Sequence, residues 1–69
     1  MAFDKNIIRH NAEKIVRTMK AGYQYTLAKL QEITTFGTTE LCLALLMLIQ
    51  EKKVEQFQST DGVRYALLC

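Results

Sequence analysis

The feature that most constrains the fold of this chain is an unbroken apolar run, Leu41–Ile49. Thr38-Thr39-Glu40 before it is typical of a helix start, and the charged segment Glu51-Lys52-Lys53 follows it. A helix on the surface of a globular domain has one apolar stripe and one polar one, so a helix that is apolar most of the way round has to be covered on two sides. We therefore expect one side of this helix to build the core and the other to contact a second chain.

The length of the chain limits how much apolar surface it can bury by itself. With 69 residues, 49% of them hydrophobic and 23% charged, the sequence is that of one small globular domain spanning residues 1–69. A chain of this size buries only about 60% of the surface that its unfolded form exposes, so oligomerisation would stabilise it. The formal net charge of +2 permits contact with nucleic acid but does not require it.

The N-terminal part of the chain predicts an amphipathic helix. Asp4 is suited to cap its first turn, and the helix is expected to end near Ala21–Gly22. Its apolar side has helical spacing and carries Ile8, Ala12, Ile15, Val16 and Met19. Its basic side carries Lys5, Arg9, His10, Lys14, Arg17 and Lys20, with Glu13 among them. Two interpretations of the basic side stay open, a solvated surface, which is the more common case, and a phosphate-contacting one.

A second, shorter helix is predicted after a β-prone link. In the link, Tyr23–Thr26, aromatic and polar residues alternate, and Thr26 is suited to cap the helix Leu27–Thr34. The inner side of this helix is expected to carry Leu27, Leu30 and Ile33.

The third helix is expected to begin with Gly37 or Thr38 as its cap and with Glu40 in its first turn, where a negative charge suits the helix dipole. Phe36, in the preceding turn, is expected to fill the core between the helices. On a helical wheel the core side of the third helix carries Leu41, Ala44, Leu45 and Leu48. The opposite side carries Thr39, Leu43, Leu46 and Gln50, and the flanks carry Cys42, Met47 and Ile49.

The C-terminal part of the chain predicts a β-hairpin. Val54–Gln58 and Val63–Leu68 have strand-like composition, and the segment between them contains the pair Asp61-Gly62. An Asp-Gly pair between two strands is the strongest short-range hairpin signal. The predicted order is therefore helix, short strand, helix, turn, helix, hairpin.

That order resembles the winged helix-turn-helix family over almost the whole chain. Asn11–Val16 and Thr26–Leu30 resemble its first two helices, and Leu41–Val54 resembles its third helix running into the wing. The chain is similar in particular to small stand-alone winged-helix proteins of unknown function, whose third helix has a comparable L-x-L-A-L-x-x-L core before a charged pair and the first wing strand. The resemblance implies a mainly α, α+β fold with three helices and a two- or three-stranded wing sheet, the third strand at Tyr23–Tyr25.

The resemblance also implies a DNA-binding transcriptional regulator, with the second helix on the DNA backbone, the third helix in the major groove and the wing on phosphate or the minor groove. The residues expected to contact nucleic acid are Lys29, Thr38, Thr39, Lys52, Lys53 and Arg64. The third helix departs from the family pattern, because its outward side places Leu43, Leu46 and Met47 between Thr39 and Gln50. Leucine can contact a thymine methyl group but does not distinguish four base pairs. We therefore expect a homodimer with weak, backbone-dominated contact to DNA.

The alternative function is a protein-interaction or dimerisation module that does not bind DNA. Its interface would use Thr39, Cys42, Leu43, Leu46, Met47 and Gln50, with Ile49 beside them. A simpler interpretation is that these residues are core, covered by the N-terminal arm Met1–Phe3 or by the hairpin. Of the two functions, the predicted fold favours the DNA-binding regulator, and the apolar third helix favours the interaction module. We rank the regulator first.

No pattern in the sequence predicts an enzyme, a metal site or a cofactor. The single histidine, His10, lies on a basic helix side, and Cys42 and Cys69 have neither metal-ligand nor redox spacing. The N-terminus has no secretory apolar region, and the apolar run is far shorter than the roughly 20 residues of a membrane span. We expect a cytoplasmic location, and as partners a second copy of the chain, double-stranded DNA or another protein, but no membrane.

Overall fold

The computed structural model describes residues 4–68, so the Met1–Phe3 arm and Cys69 lie outside the described residues. Along the chain the helices and strands are α1 (Lys5–Thr18), β1 (Gln24–Thr26), α2 (Leu27–Thr34), α3 (Thr38–Gln50), β2 (Val54–Ser59) and β3 (Gly62–Leu67). The three strands form one antiparallel sheet in the order β1-β3-β2. The prediction of an α+β fold with three helices and a small sheet is confirmed, and the layout is winged-helix-like.

All three helices begin where the sequence predicts, because each N-terminus has a capping partner. A carboxylate oxygen of Asp4 accepts a hydrogen bond from the Asn6 amide at 2.8 Å. The Thr26 hydroxyl accepts from the Lys29 amide at 3.1 Å. At the third helix the Gly37 amide donates to Oε1 of Glu40 at 2.9 Å. These bonds satisfy amides that have no carbonyl partner within their own helix.

The first helix ends earlier than predicted, at Thr18 instead of Ala21–Gly22. Its last backbone bond runs from the Met19 amide to the Ile15 carbonyl, after which Met19 is extended. The next amide, that of Lys20, donates to the Tyr25 hydroxyl at 3.0 Å. A tertiary contact therefore replaces the next helical hydrogen bond and turns the chain towards β1.

The core lies between the three helices and the inner face of the sheet. The buried apolar residues are Ala12, Ile15, Met19, Leu30, Leu41, Ala44, Leu45, Leu48 and Val54. All four residues assigned to the core side of the third helix are among them, so the helical-wheel prediction is confirmed for that side.

The prediction that Ile33 faces inwards is wrong, since Ile33 is 40% exposed and its neighbour Thr34 only 1%. Thr34 lies one helical turn after the buried Leu30, which places both on one side of α2. Its hydroxyl donates to the Leu30 carbonyl at 2.6 Å and accepts from the Phe36 amide at 3.3 Å. A polar residue can occupy this inner position because its hydroxyl is fully hydrogen-bonded.

The predicted hairpin is confirmed, although Asp61-Gly62 is not its two-residue loop. Ser59 pairs with Gly62, so the loop is Thr60-Asp61 and Gly62 opens β3 with a φ of 130°. That φ favours glycine, because it carries no Cβ. The Asp-Gly pair therefore predicted the location of the turn, and the two strands each extend one residue further towards it than predicted, to Ser59 and to Gly62.

The second and third helices form a bent pair, with 109° between them. Thr35 joins them in the left-handed conformation at φ 60°, and Lys52 has the same φ after the end of α3. Among residues 4–68, no single helix is long and apolar enough to span a membrane. The bent pair of α2 and α3 reaches that length and apolarity only when the two helices are counted together.

Candidate interaction surface

The outer face of α3, defined here as Thr39, Cys42, Leu43, Leu46, Met47 and Gln50, carries all the residues of the predicted protein interface. Cys42 and Leu46 are exposed, and the exposed fraction of Leu46 reaches 53%. Leu43 and Met47 are half-buried, and Thr39 and Gln50 are exposed near the two ends of the helix. No charged residue occurs between Glu40 and Glu51. The apolar run is thus divided between a buried side and an uncharged side that the described residues leave partly open.

One edge of this outer face continues onto the sheet. Cys42, Leu46 and Ile49 line a groove of about 290 Å³, which is completed by Leu45, Gln56 and Tyr65. We call this the α3–sheet groove. Burial raises the pKa of the Tyr65 hydroxyl, and the neighbouring Cys42 raises this pKa further. The free thiol of Cys42 therefore lies beside a neutral phenol.

The other edge of the outer face borders α1. Met47 lines a cleft of about 180 Å³ together with Arg9, Arg17, Glu51 and Lys53. Arg9 is ion-paired with Glu51 at 3.1 Å. Met47 and Ile49 also pack against the buried core cluster. The helix thus presents an uncharged groove on one side and a cleft with charged residues on the other.

Most of the residues predicted to contact nucleic acid have a partner within the chain. Lys29 pairs with Glu32 at 3.2 Å and Lys53 with Glu51 at 3.7 Å. The Thr38 hydroxyl accepts a hydrogen bond from the Gln31 amide group at 2.8 Å. Two more of the six predicted residues, Thr39 and Lys52, are exposed.

The sixth predicted residue, Arg64, is held within the hairpin. It donates to a carboxylate oxygen of Asp61 at 2.8 Å and to the Ser59 hydroxyl at 3.2 Å. Hydrogen bonds from the Ser59 hydroxyl and from its own backbone amide lower the pKa of the Asp61 carboxyl, and Arg64 lowers it further. Asp61 is therefore ionised at neutral pH, and its charge locally balances the charge expected to contact phosphate.

The basic side of α1 also makes contacts within the chain. Besides the pair of Arg9 with Glu51, the Lys14 ammonium lies over the Phe36 ring, 5.3 Å from its centre. Phe36 packs against the core as predicted but remains half-buried, and the Lys14 contact covers part of its exposed ring. His10 is exposed. Part of this basic side is therefore used to cover the domain's own surface.

Sequence reasoning found the helical part of the surface and missed the part on the sheet. Gln56 and Tyr65 enter the groove because they pair across β2 and β3 and so share the inner face of the sheet. Alternation along the strand could have grouped Val54, Gln56 and Gln58 on one face. Placing that face beside α3 requires the tertiary structure.

In the described part of the chain, no group of three His, Cys, Asp or Glu side chains is arranged to hold a metal ion. Comparisons with family models, with curated proteins and with solved structures found no match to this chain. The winged-helix-like description rests on the order of helices and strands and on the sheet topology given above.

Proposed function

We propose that this chain is a protein-interaction module on a winged-helix-like scaffold, and that it self-associates through the outer face of α3. The observation that carries the proposal is the exposure of Leu46, 53%, in the middle of an uncharged helix face. Interfaces place apolar residues at a desolvated centre and polar ones at the rim. Leu46 with Cys42 and Leu43 would form such a centre, with Thr39 and Gln50 at the rim.

The ion pairs described above reduce the local positive charge that phosphate binding would use, and each exposed pair is worth about 0–1 kcal/mol. Lys29, Lys53 and Arg64 would each have to leave a carboxylate, or share it, in order to contact DNA. Covering Leu46 requires no such exchange, and since it is 53% exposed, the gain is about half of the roughly 1.5–3 kcal/mol that full burial of a leucine side chain is worth. A domain this small also gains more from an added interface than a large one does.

Replacing Leu46 with lysine is expected to give a folded monomer. A lysine at the centre of an apolar interface should raise the dimer dissociation constant about 30-fold or more, since central contacts are often worth about 2 kcal/mol. Analytical ultracentrifugation over a range of protein concentrations measures the dissociation constant, and circular dichroism checks the fold.

The matched control is Ile7→Lys, because Ile7 is an aliphatic residue of nearly equal exposure, 55%, on α1. It adds the same charge and should leave association unchanged. A wild-type chain that stays monomeric at high concentration, or a Leu46→Lys variant that dimerises as well as Ile7→Lys, would contradict the proposal.

DNA binding is the second candidate, and the angle between α2 and α3 favours it. Their 109° lies within the range of about 90–120° found in helix-turn-helix motifs. Thr39 is exposed in the first turn of α3, and Lys52 is exposed two residues after the end of this helix. This arrangement would permit a few contacts to the DNA backbone and little reading of base edges.

We expect weak binding to a random duplex that falls steeply between about 50 mM and 200 mM salt. Lys52→Gln combined with Lys53→Gln should reduce the salt slope by about one unit for each phosphate that the variant no longer neutralises. The control, Lys5→Gln with Lys20→Gln, changes the net charge equally at the start of α1 and just after its end. Fluorescence anisotropy gives the slopes, and the absence of binding at low salt would exclude this candidate.

A further inference from the structure

One long edge of the sheet has no neighbouring strand among the described residues. In the order β1-β3-β2, the strand β2 lies at the edge over its whole length, Val54–Ser59. An edge strand offers a row of backbone donors and acceptors to another strand. Many proteins protect such an edge with charged side chains or proline; β2 contains no proline and a single charge, that of Glu55.

The hairpin register determines which backbone groups face this edge. Ser59 and Gly62 flank a two-residue loop, so they form a hydrogen-bonded pair, and every second residue of β2 does the same with β3. The Leu68 amide donates to the Lys53 carbonyl at 2.9 Å, so Lys53 and Leu68 continue the same alternation of hydrogen-bonded pairs just before β2 begins. The N–H and C=O groups of Val54, Gln56 and Gln58 therefore point away from β3, towards the free edge.

The free edge adjoins the proposed interaction surface. Helix α3 packs beside β2, whereas α2 packs beside β1 and β3. Gln56 lies on the edge strand and also lines the α3–sheet groove with Leu46 and Ile49. A strand added to β2 would thus extend the sheet on the side where the outer face of α3 is exposed.

We propose that two copies of the chain pair through β2, antiparallel, with Gln56 opposite Gln56 of the partner subunit. This inference rests on the proposed function and specifies how the self-association is built. In this register Val54 lies opposite Gln58 of the partner subunit, so only residues whose backbone groups face the edge exchange hydrogen bonds. The two three-stranded sheets become one six-stranded sheet, and both α3 helices lie on the same side of it.

The charges of β2 and its flanks fit this arrangement. Glu55 lies opposite Phe57 of the partner subunit, so no like charges face each other along the paired strands. Lys52 and Lys53 precede β2, and Asp61 follows it. Within each chain Lys53 pairs with Glu51 and Arg64 pairs with Asp61, so the flanks that antiparallel pairing brings together are largely balanced in charge and add little repulsion between the two chains.

A charge-reversal experiment at position 56 tests the pairing, because only a residue on the two-fold axis meets its own copy. Gln56→Lys alone and Gln56→Glu alone should each raise the dimer dissociation constant about tenfold, since like charges would lie directly opposite each other. An equimolar mixture of the two variants should form a heterodimer at least as tight as the wild-type dimer. Analytical ultracentrifugation of each variant and of the mixture measures this, with circular dichroism as the check of folding.

The control is Gln24→Lys, which places the same substitution on the exposed residue that begins β1, the opposite edge strand. It should leave association unchanged. If wild type dimerises and Leu46→Lys is monomeric while both position-56 variants dimerise normally, the strand pairing is wrong and the helix interface stands. Failure of the mixed sample to recover the dimer likewise overturns the pairing, and a monomeric wild type overturns both proposals.

Discussion

Replacing Leu41 with alanine is expected to lower the free energy of unfolding by about 2–5 kcal/mol. Leu41 is fully buried in the first turns of α3, where its side chain belongs to the core cluster. Truncation removes the transfer free energy of the deleted atoms and leaves a cavity that the neighbours fill only in part. Native domains have a total stability of about 0.05–0.15 kcal/mol per residue, so this one change can remove most of it.

Urea denaturation followed by circular dichroism measures the effect. Leu68→Ala is the matched control, because Leu68 is an exposed leucine outside both α3 and the core cluster. It should change stability by less than about 0.5 kcal/mol. Equal losses of stability for the two variants would mean that Leu41 is not the core residue described above.

Replacing Thr34 with valine is expected to cost about 1–3 kcal/mol, although the two side chains have nearly the same shape. The buried Thr34 hydroxyl accepts a hydrogen bond from the Phe36 amide, and valine would leave that amide without this partner. The hydroxyl's other bond, to the Leu30 carbonyl, matters less, because that carbonyl lies in a helix and has further acceptor capacity.

The variant Thr18→Val separates the effect of the bond to the helical carbonyl from the effect of the bond to the Phe36 amide. The Thr18 hydroxyl makes the same type of bond to a carbonyl four residues earlier, that of Lys14, at 2.8 Å, and it lies at an exposed position. We expect a change within about 0.5 kcal/mol for this control, in thermal or urea denaturation. A Thr34→Val variant as stable as wild type would show that the Phe36 amide finds another partner.

The parts of the fold that depend on local chemistry could be predicted from the sequence. Asp4, Thr26 and Glu40 identify three helix starts, because capping involves residues two or three positions apart. The core side of α3 follows from helical spacing alone. The end of α1 and the inward position of Thr34 could not be predicted, because the first depends on the Tyr25 hydroxyl and the second on the way α2 meets the core.

The candidate surface was predictable to a similar extent. Helical spacing identified Cys42 and Leu46 as outward, and the structure exposes both. Counting cations did not show that Arg64 is bound by Asp61, because a formal charge gives no information on ion pairing. The contribution of Gln56 to the groove depends on strand register and on the packing of α3 beside β2.

The two left-handed residues near the ends of α3, Thr35 and Lys52, bear on how this surface binds. Neither is glycine, so each has fewer backbone conformations available to it than a glycine would have at the same corner. The proposed interface would then be formed on a helix whose orientation is set within the chain. Association through it would therefore lose little conformational entropy, and even a modest contact area could support a stable complex.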